Sequence, residues 1–342
     1  MTKAKNDVVV HRTIVHYLNK ETDTLLLTDY ENTSNVDLVK DFKKILKSVS
    51  KNEYSRKAVF EDYENNEIKK YAEAIIYNED SFVKNSKEIA KKLYDVMQLS
   101  ETIESGCLAI GLFTVNDEKQ VGIFKIGFKK SYTKEIKQMD GNRCRVNMIK
   151  KDDLIPESMT TTQSAIIGES GVNDEYHLLV LDKNAEKEKL DSDFIQKFIE
   201  AHKVEDDVYR TKVLKETVEN FIVNAYADNV KEGEDIRSYF TKTLRDEMVV
   251  TPNEIVDTLI KDKDKKEVLA EVLNEKIEDL DGVMELDKTW IDKKIKNRSF
   301  KTDTGFSIKG KMEDFEDPMK YSLTKNPDGS VNIVLKNIKF FE

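Results

Sequence analysis

Along the first hundred residues, hydrophobic positions first form short strand-like runs and then recur with the period of a helix. Val and Ile dominate residues 7–18, a second apolar run covers residues 24–28, and the polar segment between them is typical of a hairpin loop. Further along, apolar residues recur at spacings of three and four, which places them on one side of a helix. This periodicity predicts three helices, over residues 36–49, 67–77 and 81–99.

The centre of the chain has the pattern of β-strands. A polar NDEK segment separates the first two apolar runs, and Met139-Asp140-Gly141 separates the next two, where Asp-Gly favours a hairpin turn. A loop is expected from residue 152 to about residue 174. The predicted strands cover residues 106–115, 120–128, 129–138, 142–151 and 175–183.

The last 150 residues are mainly helical by the same criteria, and strands return from residue 304. The predicted helices cover residues 191–203, 205–230, 234–248, 253–259 and 265–280. We therefore predict an α+β fold, with an N-terminal antiparallel sheet and helices, then a mainly helical half and a C-terminal β-hairpin. The expected domains are residues 1–186, which include the central strands, and residues 187–342.

Composition places few limits on function. A chain of 342 residues with 39% hydrophobic residues is long enough for two domains with their own cores. No segment approaches the roughly 20 apolar residues of a transmembrane helix, and the apolar run Val8 to Val10 is too short for a signal peptide. Two cysteines without a CxxC motif do not predict a disulfide framework, so a cytoplasmic protein is expected.

Motifs for catalysis or cofactor binding are missing from the sequence. The four histidines have no metal-ligand spacing, and GESG at residues 168–171 lacks the second spacer of G-x-S-x-G. Neither a phosphate-binding nor a dinucleotide-binding glycine motif occurs. Cys107 and Cys144 are predicted to be buried small hydrophobic residues. No catalytic residue, metal or cofactor is expected.

Charge is distributed unevenly. The chain carries 56 basic and 66 acidic residues, a net charge of −10, yet residues 125–151 hold nine basic and two acidic residues. On the predicted hairpin these cations occupy both faces of a two-stranded ribbon, which suggests a projecting arm that contacts phosphates without regard to base sequence. The expected DNA contacts are Lys129, Lys130, Lys134, Lys137, Arg143, Arg145, Lys150 and Lys151.

A second basic segment, residues 288–311, has a net charge of +6 and contains Trp290 and Phe300 between its charges. It predicts a secondary DNA-contacting patch of Lys293, Lys294, Lys296 and Arg298. The alternative for both segments is that solvated strands and sheet edges carry lysine routinely.

Acidic residues weigh against long-range attraction to DNA. Residues 254–287 hold twelve acidic and five basic residues at helical spacings, which is typical of a solvated helical face. Such a face would repel DNA and could restrict it to one binding orientation.

Three segments carry a resemblance to a known family: VVVHRTIVHYLNKETDTLLLTD (8–29), SGCLAIGLFTVNDEKQVGIFKIGFKKSY (105–132) and KTDTGFSIKGKMEDFEDPMKYSLTKNPDGSVNIVLKNI (301–338). Their order and spacing resemble the bacterial nucleoid-associated proteins of the 37-kDa type. The resemblance implies a cytoplasmic protein at the nucleoid, associated with DNA directly or through partners. It supplies no catalytic residues.

Three functional hypotheses follow. The first is a non-enzymatic, nucleoid-associated protein that binds double-stranded DNA, expected to be a homodimer because a second copy doubles the basic footprint. The second is a phage- or defence-related adaptor that binds a protein partner through the acidic helices and does not bind DNA. The third is a metal-dependent nuclease whose carboxylates come together only in the fold.

Overall fold

The computed structural model describes residues 8–139, 141, 143–169, 177–277, 279–327 and 330–339. The chain forms two compact units, Met1–Val204 and Glu205–Glu342. The fold is α+β, as predicted.

Ten β-strands are described in the first unit. They are β1 (Val8–Asn19), β2 (Thr24–Leu26), β3 (Arg56–Phe60), β4 (Gly106–Val115), β5 (Glu118–Gly127), β6 (Lys129–Met139), β7 (Arg143–Leu154), β8 (Gln163–Gly168), β9 (Leu178–Asp182) and β10 (Ala201–Lys203). Eight of them form one antiparallel sheet in the order β10-β3-β9-β8-β5-β4-β1-β2, and β6 pairs with β7 in a separate ribbon.

Helices cover both faces of the eight-stranded sheet. They are α1 (Val36–Ser50), α2 (Glu67–Tyr77), a 3-10 turn (Glu79–Ser81), α3 (Phe82–Leu99), α4 (Lys183–Glu188) and a π-helix (Phe194–Ile199). Phe42 of α1 packs on Phe113 and Phe124 of the sheet, with ring centroids 6.4 and 6.3 Å apart. The opposite face packs against α2, α3 and the π-helix. The central strands are therefore buried on both sides.

Asparagine side chains cap the start of two of the three long helices. Asn35 accepts a hydrogen bond from the N–H of Leu38, and Asn66 does the same for Lys69, so each side chain satisfies a free amide at a helix start. The predicted bounds of α1, α2 and α3 agree with the structure within a residue. The β4–β5 hairpin closes through Asn116 and Asp117, which both have positive φ, as a two-residue turn requires.

Three short strands depart from the sequence interpretation. β3 was not predicted, β8 lies within the expected loop, and the helix expected over residues 191–203 is a π-helix followed by β10. Phe194, Ile195, Phe198 and Ile199 have helical spacing and are buried, but the backbone turns at Glu200, where φ is 55°. The chain then pairs with β3, so residues 187–204 lie in the first unit.

The second unit has its own hydrophobic core. Its helices are α5 (Asp207–Ala225), α6 (Val230–Asp246), α7 (Pro252–Leu259), α8 (Lys263–Asn274), α9 (Lys288–Ile295) and α10 (Met312–Glu316). Its strands form three antiparallel pairs: β11 (Val249–Val250) with β12 (Met284–Glu285), β13 (Asn297–Lys301) with β14 (Ser307–Lys311), and β15 (Tyr321–Lys325) with β16 (Val331–Leu335). The last pair is the predicted C-terminal hairpin.

His16 links β1 to its neighbours inside the first unit. Its Nε2 atom lies 3.1 Å from Ser86 Oγ, and its Nδ1 atom accepts a hydrogen bond of 3.1 Å from the N–H of Thr28. Burial, with a smaller contribution from the charge of Lys87, lowers the pKa of His16 to about 4. The ring is therefore neutral in the native state at neutral pH.

We expect His16 to make the stability of the first unit pH-dependent. Its pKa is lower in the folded chain than in the unfolded chain, so the unfolded state takes up the proton first as the pH falls. The contribution of His16 is complete above pH 6.5 or so and is lost as the pH falls through about 4. Between pH 7.5 and 5 the expected loss is about 2 kcal/mol.

Denaturant unfolding of the wild type and of His16→Gln at both pH values measures this effect. The variant should lose less stability between pH 7.5 and 5 than the wild type. Equal losses in the two proteins would show that His16 does not carry the pH dependence.

Candidate nucleic-acid interface

The β6–β7 ribbon leaves the sheet between two of its central strands. Only Phe128 separates β5 from β6, and β7 leads back towards β8, the strand that pairs with β5. Cross-strand pairing extends from Lys129 with Leu154 to Met139 with Arg143. At about 3.3 Å per residue, a strand of this length spans roughly 35 Å, close to one helical turn of DNA. 

The turn of the ribbon is described only in part. Gly141 has a φ of 78°, a conformation that suits a hairpin turn and that glycine adopts without strain. Asp140 of the predicted Asp-Gly turn lies outside the described residues.

Aromatic packing and hydrogen bonds fix the root of the ribbon. The ring of Tyr17 on β1 packs on the ring of Phe128 with centroids 5.1 Å apart. The Tyr17 hydroxyl donates a hydrogen bond of 3.4 Å to Asp153 on β7. The pairing register shifts between Lys129 and Ser131, so Lys130 lies at an irregularity of the root. These contacts fix the position of the ribbon where it leaves the main sheet, whereas the rest of the ribbon is not part of that sheet.

All eight predicted ribbon cations are exposed to solvent. The Lys137 ammonium lies 3.2 Å from the Glu135 carboxylate, which also accepts a hydrogen bond of 3.3 Å from Asn147. An exposed ion pair of this kind contributes little stability and is easily exchanged. The side chains of these residues are thus accessible to a large anionic ligand.

The strand register divides the cations between the two faces. Lys137 lies directly opposite Arg145, and these residues share a face with Arg143 and Lys151. Lys134 and Lys150 lie on the other face. Like charges directly opposite each other destabilise an antiparallel pair. The Lys137–Arg145 pair therefore has an unfavourable interaction, which the ion pair of Lys137 with Glu135 partly offsets and which a bound polyanion would relieve further.

Charge counting missed a row of exposed apolar side chains on the ribbon. Tyr132, Ile136, Val146 and Met148 are 62%, 58%, 61% and 75% exposed and lie on the same face as Lys134 and Lys150. We call these four residues the apolar stripe. The alternation of Tyr132, Lys134 and Ile136 along β6 was the available sequence signal.

Cys144 is exposed on the same face of the ribbon, contrary to the prediction that it is buried. Its neighbours in the sequence are Arg143 and Arg145, and the described ribbon has no core on this side to bury it. Cys107 on β4 is buried as predicted, and burial raises the pKa of its thiol.

Lys125 is the ninth basic residue of the segment and does not belong to its surface. It lies on β5, is 3% exposed, and shares a face of the strand with the core residues Val121 and Ile123. Its Nζ atom has no hydrogen-bond partner among the described residues, and burial lowers its pKa to about 8. A side chain at Gly106 would collide with this ammonium group. The exposed cationic surface therefore begins at Lys129.

The second predicted patch is divided between exposed and buried positions. Lys293 and Lys294 lie in the last turn of α9, Lys296 follows it, and all three are exposed. Arg298 on β13 is mostly buried, forms an ion pair with Glu234, and has its guanidinium 5.3 Å from the ring centre of Phe315.

Glu234 connects Arg298 to a wider ion-pair network. It also pairs with Arg237, which lies 2.7 Å from Glu219. Burial lowers the pKa of Arg298. Trp290, expected among the surface charges, packs against the core of the second unit, and the side chain of Phe300 lies outside the described residues. These contacts give Arg298 a structural role, and its contact with DNA stays a prediction.

Within the described ranges, no three His, Cys, Asp or Glu side chains are grouped so that they could hold a metal ion. Ser170 and Gly171 of the GESG segment are not among the described residues. No helix in the described part is long and apolar enough to span a bilayer.

The fold and the ribbon define an α+β protein that presents a cationic two-stranded arm. A comparison with protein families identifies it further: the family model described as nucleoid-associated protein YejK matches residues 14–340, nearly the whole chain. The chain belongs to this nucleoid-associated protein family, which confirms the resemblance found in the sequence. No curated protein was found to match the chain.

Family membership supports a nucleoid-associated role and a location at the nucleoid. Proteins of this family are generally non-enzymatic. The match concerns the chain as a whole and does not by itself assign a function to the ribbon.

Replacing Lys125 with Met should stabilise the first unit at neutral pH, because the buried ammonium has no hydrogen-bond partner in the described structure. The pKa of Lys125 is lower in the folded chain, so wild-type stability should rise with pH between about 8 and 10.5. The advantage of Lys125→Met over the wild type should therefore shrink by about 2 kcal/mol between pH 7 and 9.5.

Denaturant unfolding at the two pH values tests this expectation. Lys129→Met, at the exposed start of β6, is the matched control and should show no such change. An advantage that stays constant with pH would contradict the assignment of a buried, titrating amine.

Proposed function

We propose that this protein binds double-stranded DNA directly through the β6–β7 ribbon, with contacts to phosphates that are largely independent of base sequence. The observation that carries the proposal is the group of eight exposed cations on one two-stranded ribbon, with Lys137 and Arg145 directly opposite each other. The nucleoid-associated family provides independent support.

Counterion release supplies the driving force. DNA binds a dense layer of cations, and each Lys or Arg that neutralises a phosphate releases part of it. A two-stranded ribbon is narrow enough to enter a groove while its long side chains reach the backbone on either side. Binding also relieves the repulsion between Lys137 and Arg145.

The rest of the chain orients the complex. Residues 129–151 have a net charge of +6, which leaves −16 on the remainder of the chain. Most of the chain is therefore repelled by DNA, and the ribbon is the part that can approach it. This repulsion disfavours other binding orientations. It lowers the affinity less, because at physiological salt charges are screened beyond a Debye length of about 8 Å.

A second contact and a second copy complete the proposal. Lys293, Lys294 and Lys296 are exposed and could bind phosphates in addition to the ribbon. A homodimer would present two ribbons and raise the avidity for one duplex.

The decisive experiment removes four ribbon cations together, in a Lys129→Gln, Lys130→Gln, Arg143→Gln and Arg145→Gln variant. We expect weaker binding to every duplex sequence by the same factor, and a salt slope about 3 to 4 smaller in magnitude, because each lost phosphate contact removes about 0.9 from it. Gel-shift titrations at several salt concentrations, with and without Mg²⁺, measure both quantities.

A matched control removes the same charge from exposed lysines elsewhere, as Lys40→Gln, Lys44→Gln, Lys261→Gln and Lys263→Gln. It should retain most of the wild-type salt slope. If the ribbon variant binds like the wild type, the ribbon is not the contact. No binding by the wild type at low salt would favour the adaptor hypothesis, and cleavage that depends on Mg²⁺ would favour the nuclease hypothesis.

A further inference from the structure

The apolar stripe is not explained by contacts with phosphates. Its four side chains are each at least 58% exposed and follow one another along a single face: Tyr132, then Met148, then Ile136 beside Val146. Exposed apolar side chains scattered singly need no explanation, but a contiguous row of them usually marks a binding surface. The question is which ligand covers this face.

Charge favours a polyanion over a second copy of the chain. Lys134 and Lys150 lie among the stripe residues, and the other members of this face within the regular ladder from Ser131–Lys151 to Met139–Arg143, Gln138 and Cys144, are uncharged. Packing two such faces together would bring four ammonium groups into an apolar contact, and this part of the face offers no carboxylate to neutralise them. The stripe also has four residues, whereas a stable protein interface has roughly 20–30 residues per side.

The pairing of Ile136 with Val146 makes this part of the stripe suitable as a wedge. The two residues lie directly opposite each other, three pairs from the Met139–Arg143 end of the described ladder. Both are β-branched and have few side-chain conformations, so little entropy is lost when they are fixed.

Cations surround this pair on both faces. Lys134 precedes Ile136 on the same face, while Lys137 and Arg145, the next pair along, extend from the opposite face. Their long side chains can reach the phosphates of both strands while the wedge contacts the bases. Architectural DNA-binding proteins combine these two elements, and the inserted apolar group unstacks a base step and kinks the duplex by about 20–90°.

We propose that the ribbon places its apolar stripe in the groove of duplex DNA, and that Ile136 and Val146 wedge between base pairs and bend the duplex. This inference rests on the proposed DNA binding and adds a mechanical activity to it. Binding should then have two components: a salt-dependent one from the cations and a salt-independent one from the stripe.

The test compares Ile136→Thr/Val146→Thr with the wild type in the full chain. Threonine retains strand propensity at both exposed positions, and thermal melting verifies that the variant is folded. Ligase-catalysed ring closure of a fragment of roughly 150 base pairs, near the persistence length of DNA, reports bending. Each protein is added at a concentration that gives equal occupancy in gel-shift titrations.

We expect the wild type to accelerate ring closure and the variant to lose this effect, with about tenfold weaker binding and an unchanged salt slope. The control is Val334→Thr/Leu335→Thr, which removes two exposed apolar side chains, 44% and 45% exposed, from the two-stranded β15–β16 hairpin. It should behave like the wild type in both assays.

Each other outcome has a distinct meaning. If the wild type binds DNA without accelerating ring closure, or if wild type and variant accelerate it equally, the wedge is overturned while DNA binding stands. If sedimentation shows a dimeric wild type and a monomeric double threonine variant, the stripe is a contact between copies of the chain. The inference is then also overturned. If the wild type binds no duplex, the proposed function itself fails.

Discussion

The pairing of β5 with a neighbour on each side is the constraint on which the candidate interface depends. Residues 121–126 of this strand are buried, and the strand pairs with β4 along one edge and with β8 along the other. A strand held in this way leaves the sheet in a fixed direction. The ribbon has no core of its own, so it takes its position from Gly127, where β5 ends, and from Phe128, which directly precedes β6.

The exposure that makes the ribbon accessible to a ligand also lowers its stability. An isolated two-stranded hairpin is marginally stable in water, because it buries little apolar surface. This hairpin also has like charges across one pair and apolar side chains in contact with solvent. Its own ladder of hydrogen bonds and the packing of Tyr17 against Phe128 compensate for these costs. Such a construction is typical of functional surfaces, where residues are selected for the ligand and not for the fold.

Elements with local signals could be predicted from the sequence, and elements that depend on distant partners could not. Helices α1 to α3, the β4–β5 hairpin and the ribbon have clear periodicity and turn residues close by. By contrast, β3 is only five residues long and pairs with strands more than a hundred residues further along the chain. Nothing in its immediate sequence specifies those partners, and the same is true of β10, which pairs with β3.

In the candidate site, the direction of individual side chains could not be predicted from the sequence. A count of charges located the ribbon but could not give the direction of each charged side chain. Lys125 points into the core because its strand continues the alternation of the sheet, and Arg298 is engaged by Glu234, 64 residues before it in the sequence. Conversely, the four apolar residues of the ribbon stripe are exposed, which their side-chain type alone does not predict.

The two cysteines of the chain differ in a way that has a practical consequence. Cys107 is buried in the sheet and its raised pKa suppresses the reactive thiolate, whereas Cys144 is exposed on the ribbon. A maleimide or iodoacetamide reagent will therefore modify the native chain selectively at Cys144. Fluorescent or spin labels can thus be attached to the ribbon without engineering, and distances from this point can be measured in solution.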